Sequence, residues 1–214
     1  MNTSANFELS FDYASEYTDL ETIPAFCPTV QSGADHIPDL PATEHYPAGV
    51  VLARQDEKPA QVRLIRSGIV KLTYLGPAGQ EFILGLRSEG WWMCSKQVLL
   101  DVPNLFTVQT ITACAITTLS ADDFSRQLQK NPRMLRHYLS SVCREGVVQT
   151  KLHIMLLSTS AERRLQQLLD EHEHSIWKTL DPTAIMRQAD VAKLLAVTPE
   201  HLSRILNKNK GCAK

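Results

Sequence analysis

The sequence predicts an α+β fold: an N-terminal antiparallel β-roll, one long helix, and a C-terminal helical helix-turn-helix domain. Three observations predict it. Residues 42–120 hold many short alternating apolar runs with turn residues between them. From Pro132 to about Leu157 an apolar stripe recurs at spacings of three and four. The stretch RQADVAKLLAVTPEHLSRIL, Arg187 to Leu206, spaces its apolar residues as two short helices around a turn. Strands grouped first and helices grouped after them indicate segregated layers.

The 214 residues are 43% hydrophobic, enough for one large domain or two modest ones. Residues 1–41 read as an acidic arm, extended or loosely helical, with Pro24, Pro28, Pro38 and Pro41 and little periodicity. Residues 1–45 hold eight acids and no Lys or Arg, whereas residues 183–214 hold six Lys or Arg against Asp190 and Glu200. That asymmetry points to an anion-binding C-terminus, although a solvated basic tail has the same composition. Five scattered cysteines (Cys27, Cys94, Cys114, Cys143, Cys212) without a CxxC pair read as reduced thiols. No Lys or Arg precedes an apolar run at the N-terminus, and no run approaches the roughly 18 residues of a membrane span. The expectation is a soluble, cytoplasmic protein with no membrane partner.

The β-roll is expected over residues 42–131. VRLI and IVKLTYL flank Ser67-Gly68, and Val70, Leu72 and Tyr74 alternate with Lys71 and Thr73, which reads as a half-buried hairpin. Gly76 to Gly79 marks another turn, after which Phe82, Leu84 and Leu86 alternate. Val108 to Leu119 supplies further β-branched residues. Ser120 then fits as the cap of ADDFSRQLQ, and Asn131-Pro132 separates that helix from the long one. The long helix is expected over 132–158. Its apolar positions include Leu135, Tyr138, Leu139, Val142, Val148, Leu152, Met155 and Leu156. Such a stripe packs either on a domain face or on a partner's identical helix. Gly146 interrupts it at a cost of about 1 kcal/mol.

Residues 159–214 form the last unit. Ser160 to Glu173 reads as a helix, and the opening stretch follows. Ala192 is the small residue that lets two helices approach, and Val191, Leu195, Val197, Leu202 and Ile205 occupy core offsets. Thr198 suits the cap of the second helix and Pro199 its first position. Glu200, His201, Ser203 and Arg204 fall toward the exposed N-terminal side, the side such motifs insert into the major groove. Ala196 stands where glycine is usual at the turn, tolerable at about 1 kcal/mol if the backbone there is left-handed.

The order of these pieces resembles the CRP/FNR superfamily of bacterial transcription regulators. The resemblance runs from about Tyr46 to Leu206 and is carried by LIRSGIVKL, TACAITTLSADDFSRQLQKNP and DVAKLLAVTPEHLSRIL. It implies a β-roll sensor, a dimerisation helix and DNA binding at palindromic promoter sites. On that basis Leu135, Tyr138, Leu139, Val142, Leu152, Met155 and Leu156 face a second copy. Glu200 and Arg204 match base-reading positions, and Thr198 matches a phosphate-contacting cap. The DNA-binding set is then Gln188, Thr198, Pro199, Glu200, His201, Ser203, Arg204 and Lys208. Pro199 replaces a common arginine and removes one contact. The family continues into a β-hairpin wing, whereas here only NKNKGCAK follows Leu206, so a truncated wing is expected. The partners implied are double-stranded promoter DNA, a second copy of the chain and, at the promoter, RNA polymerase.

The effector is not legible. Nucleotide-binding relatives hold the cyclic phosphate with Gly-Glu and Arg-Ser pairs, whose positions here are Met93-Cys94 and Asn104-Leu105. Trp91 and Trp92 lie beside them, so Trp91, Trp92, Met93, Cys94, Asn104 and Leu105 outline the candidate pocket. No Lys or Arg lies between Lys96 and Arg126, and a buried phosphate needs a cation, which argues against cyclic AMP. Only Cys27 is N-terminal, which argues against the iron–sulfur cluster of the oxygen-sensing branch. Scattered histidines leave a haem ligand open. No metal-ligand spacing and no nucleophile–base pair stands out, so an enzyme is not expected. An alternative to the DNA-binding regulator is a dimeric sensor or adaptor that has lost productive DNA binding, motivated by Ala196, Pro199 and the missing wing.

Overall fold

A computed structural model describes residues 25–26, 40–174 and 185–212. The strands are β1 (Thr43–Tyr46), β2 (Val51–Ala53), β3 (Gln61–Ser67), β4 (Val70–Leu75), β5 (Glu81–Arg87), β6 (Trp92–Met93), β7 (Thr107–Thr110) and β8 (Cys114–Ser120), with helix α1 (Ser95–Leu100) between β6 and β7. They form two antiparallel four-stranded sheets, ordered β1-β8-β3-β6 and β2-β7-β4-β5. Leu52, Ile65, Val70, Leu72, Met93 and Ile116 belong to the cluster that fills the space between the sheets. Burial of such side chains contributes about 1.5–3 kcal/mol each.

The expected hairpin around Ser67-Gly68 is not formed. β3 and β4 lie in different sheets, so this short connection carries the chain from one layer to the other. Gly68 is required there: its φ is +90°, and a Cβ would stand 2.3 Å from the Ala113 carbonyl oxygen. The hairpin is instead β4–β5, closed by Gly76 to Gly79. Its register shifts where Leu72 pairs with Gly85 and Thr73 with Ile83, leaving Leu84 as an extra residue. A bulge of this kind breaks period-two alternation. Phe82 and Leu84 are therefore exposed while Ile83 and Leu86 are buried.

The helices follow as α2 (Ala121–Lys130), α3 (Pro132–Ser158), α4 (Ala161–His174), α5 (Gln188–Leu194) and α6 (Pro199–Cys212). Local chemistry sets their starts. The Ser120 hydroxyl accepts from the Asp123 amide at 3.0 Å. The Asn131 side chain accepts from the amides of Arg133 and Met134, both at 3.1 Å, with Pro132 at the first turn. Each such cap stabilises a helix by about 1 kcal/mol.

Helix α3 is continuous through Gly146 and has two distinct seams. Met134, Tyr138, Ser141, Glu145, Val148, Leu152 and Met155 are buried within the chain at a seven-residue repeat. Leu139, Cys143, Gly146, Thr150, His153 and Leu157 repeat on the opposite side, about 150° around the helix, and are exposed. This corrects part of the expected partner-facing set. Tyr138 packs against Trp92 and Phe124, and Leu152 and Met155 join the core shared with β5 and α4, so these three are closed to a second copy. Leu135, Val142 and Leu156 are half-buried and Leu139 is exposed. The stripe in the sequence merged both seams because each keeps the same period.

One further core joins the roll to the C-terminal helices. Ile69, Ile83 and Leu86 from the roll meet Leu165 and Leu168 of α4 and Val191, Leu194 and Leu195 of α5 and its following turn. Of the arm, expected to be extended or loosely helical, Ala25 and Phe26 are described, and both are buried in this same core. The remainder of the arm, 1–24 and 27–39, lies outside the described residues. The stretch after Leu206, expected to replace a wing, continues α6 as helix to Cys212. Among the described residues no helix is long and apolar enough to cross a membrane.

Candidate nucleic-acid interface

Helices α5 and α6 form the predicted helix-turn-helix. Ala192 is fully buried, and with Val191, Leu195, Leu202 and Ile205 it pins the pair onto α4. Between the helices Ala196 has φ +53°, the left-handed conformation expected of a glycine. The Val197 amide donates to the Ala192 carbonyl at 3.0 Å and the Ala196 amide to Lys193 at 3.1 Å, which closes the turn. The Thr198 hydroxyl then accepts from the His201 amide at 3.2 Å, and Pro199 occupies the first helical position.

This frame fixes what points outward. Gln188, Thr198, Pro199, Glu200, Arg204 and Lys208 are exposed, while His201 and Ser203 are half-buried. Glu200 and Arg204 stand one turn apart. The Glu200 carboxyl is held below its usual range by its own backbone amide, the Thr198 hydroxyl and the Arg204 charge. It is therefore an anion beside the guanidinium at neutral pH. An arginine on such a helix can grip a guanine edge with two bonds, and a glutamate can accept from cytosine or steer the arginine. Glu162, at the start of α4, was not singled out in the sequence. Its carboxyl is held low by its own amide and the Ser160 hydroxyl, and it feels the charges of His201 and Lys208.

The residues expected to line an effector pocket do not meet in one place. Trp91, Met93 and Cys94 lie in the roll interior. Trp92 faces the other way, in a cluster with Phe124, Met134 and Tyr138, so it belongs to the packing of α2 and α3. Leu105 is 67% exposed. It lines an open apolar groove of about 1120 Å³ between β4–β5, the end of α3 and the α5–α6 turn. Trp92 and Leu105 are thus removed from the candidate effector pocket.

Cys94 and Asn104 do share a small cavity of about 200 Å³ with Leu52, Lys58, Gln61 and Arg63. Burial pushes the Cys94 thiol up to about 11, so it is neutral. Asn104 is buried and its side-chain amide donates to the Arg54 carbonyl at 3.1 Å. Two cations from outside the cassette segment line this cavity: Lys58 and, on β3, Arg63. The Arg63 guanidinium donates to the Leu52 carbonyl at 2.8 Å and the Gln61 side chain at 2.9 Å. Scanning residues 97–125 could not find Arg63, because β3 pairs with β6 across some 30 positions of sequence.

A second polar cluster also went unread. Arg87 is almost fully buried, 5.8 Å above the Trp91 ring and 3.5 Å from Glu145 of α3. Lys96 of α1 reaches the other Glu145 oxygen at 2.5 Å. This network ties the roll to α3, and a buried carboxylate between two cations is the arrangement that low polarity demands. Among the described residues no group of three His, Cys, Asp or Glu is placed to hold a metal, and Cys94, Cys114 and Cys143 are free thiols.

Comparison with known proteins fits this geometry. A model of the cyclic nucleotide-binding domain family matches residues 43–131. The "Probable transcriptional regulator flp" of Lacticaseibacillus casei is 30% identical over 163 residues, covering 75% of this chain and 72% of that protein. The "HTH-type transcriptional regulator Cmr" of Mycobacterium tuberculosis is 24% identical over 166 residues, 77% of this chain. The match spans 65% of Cmr, just under two thirds of its length. Among solved structures, FixK2 from Bradyrhizobium japonicum superposes with a TM-score of 0.67 at 15% identity, covering 80% of this chain and 85% of that one.

Proposed function

Because this chain belongs to the CRP/FNR superfamily of transcription regulators, we propose that it is a dimeric, sequence-specific DNA-binding regulator whose helix α6 reads the major groove. The observation that carries the reading is the exposed Glu200–Arg204 pair on a helix whose opposite face is pinned by Leu202 and Ile205. A rigid helix with charged residues on its exposed N-terminal side is what base readout requires. Thr198, Gln188 and Lys208 are the proposed backbone contacts, with His201 and Ser203 at the edge of the surface. The proposed organisation is an arm over 1–41, a roll over 42–131, a dimer helix over 132–158 and a DNA-binding domain over 159–214. RNA polymerase is the partner that a promoter position would offer.

The proposed dimer contact is the exposed seam of α3. Leu139, Ile154 and Leu157 are 40%, 58% and 78% exposed. At its middle, a Cβ on Gly146 would meet nothing within 4 Å of this chain. The glycine therefore has no packing reason inside one copy, and it would let a second helix approach closely.

We further propose that cyclic AMP is not the effector. The position of the expected arginine is Asn104, whose amide is already engaged, and the position of the glutamate is a neutral thiol.

The test is selection of genomic fragments by the purified protein. The expected result is enrichment of a palindrome with half-sites about 10 base pairs apart, centre to centre, or a multiple of that spacing. No enrichment at low salt would overturn the reading.

A further inference from the structure

Ala25 and Phe26 sit between two parts of the molecule that are distant in sequence. Both consecutive amides donate to one carboxylate, that of Glu171 on α4: Ala25 to Oε1 at 2.7 Å and Phe26 to Oε2 at 2.9 Å. On the other side the Phe26 carbonyl accepts from the Leu86 amide of β5 at 3.2 Å. The Phe26 ring is fully buried in the core that Ile83 and Leu86 share with Leu165, Leu168 and Val191. Two residues thus bond the roll with one edge and the C-terminal helices with the other.

Two ion pairs cross the same joint. Lys71 of β4 meets Asp190 of α5 at 3.1 Å, and both are buried. Arg187 also reaches Asp190, at 3.3 Å. Lys193 of α5 meets Glu81 of β5 at 2.7 Å, part-exposed. All these contacts fall on the first helix of the helix-turn-helix or on the helix that supports it. None uses the Glu200–Arg204 surface.

We infer that the Ala25–Phe26 segment is a strap that locks the helix-turn-helix onto the β-roll and so sets the orientation in which α6 is presented. The bidentate carboxylate makes the strap specific, because a neutral isostere keeps only one acceptor oxygen. The Lys71–Asp190 pair makes the lock conditional. A buried pair left with one member is strongly unfavourable, so it is closed with both members in place or it opens. Any event that withdraws Ala25 and Phe26 from this slot would free the helix-turn-helix, which makes this two-residue segment a control element for DNA binding.

The experiment places a fluorophore pair at Ala78, in the exposed β4–β5 turn, and Asn207, exposed on α6, with unlabelled chain in excess. Distance distributions are compared for the wild type, Phe26→Ala, Glu171→Gln and Lys71→Met. The expected result is one narrow distribution in the wild type and a broad one in each variant, with helix content by circular dichroism unchanged. Should Phe26→Ala lose helix content, the Glu171→Gln and Lys71→Met variants decide. Identical narrow distributions in the folded variants would overturn the strap. The second arm rests on the DNA-binding reading: affinity for the selected palindrome at fixed salt should change threefold or more in a variant with a broadened distribution. Unchanged affinity there would overturn the control of DNA binding but leave the mechanical joint standing. Failure of the wild type to bind any DNA would instead overturn the reading of function.

Discussion

His137 makes the fold's attachment of α3 to the roll sensitive to acid. The Trp92 indole donates to His137 Nδ1 at 3.3 Å, in a buried site where the imidazole meets the Trp92 ring edge-on with centroids 6.1 Å apart. That bond needs Nδ1 unprotonated. Burial, with the charges of Arg66 and Arg144 adding, pushes the imidazole down to about 4, whereas an unfolded histidine titrates near 6.5. The folded state therefore binds fewer protons than the unfolded state between these values, and stability falls as pH falls through that window. Well above pH 6.5 the contribution is fully present. Linkage gives a loss of about 1 kcal/mol by pH 5.5 and about 2–3 kcal/mol by pH 4.5. The comparison is His137→Gln, whose amide oxygen accepts from Trp92 without titrating. Urea unfolding at pH 7.5, 5.5 and 4.5 should show the wild type losing about that much more than the variant, since other groups titrate alike in both. Parallel losses in the two proteins would refute the reasoning.

The exposed seam of α3 should separate from the buried one by experiment. Leu139→Glu combined with Leu157→Glu should give a folded monomer by light scattering. Leu152→Ala should leave the dimer but cost about 2–5 kcal/mol of stability, because it opens a cavity in the shared core. Ala196→Gly should stabilise the protein by about 0.5–1 kcal/mol in thermal or urea unfolding, since it relieves a left-handed alanine at an exposed site. Destabilisation by that change would mean the turn is held differently. Titration calorimetry with cyclic AMP should show no micromolar binding. A micromolar response would make Arg63, from outside the cassette, the phosphate's cation.

What was legible in the sequence was mostly local. Ser120, Asn131-Pro132 and Thr198-Pro199 begin helices because a cap needs only its own next three residues. The core offsets of the helix-turn-helix were legible for the same reason. Strand partnership was not. Alternation across Ser67-Gly68 is equally consistent with a hairpin and with a crossing between layers, and only the distant strand partners, β8 for β3 and β7 for β4, decide it. The α3 stripe was seen but not resolved, because its buried seam includes Ser141 and Glu145, polar residues that look like surface until Arg87 and Lys96 are brought to them. Arg63 and the Ala25–Phe26 contacts were invisible for a related reason. The cassette position paired with Arg63 and the partners of Ala25 and Phe26 are tens of residues away, and no spacing rule links them.

The central claim is that α6 reads base sequence through Arg204. It is tested most directly by competition between the selected palindrome and a scrambled duplex, at two salt concentrations, for the wild type, Arg204→Ala and Lys208→Ala. Arg204→Ala should lose about 1–3 kcal/mol on the palindrome alone and relax the preference at one base position. Lys208→Ala should weaken binding to both duplexes alike and make the salt slope shallower by about one. A wild type that prefers the palindrome and an Arg204→Ala variant that keeps the whole preference would contradict the account.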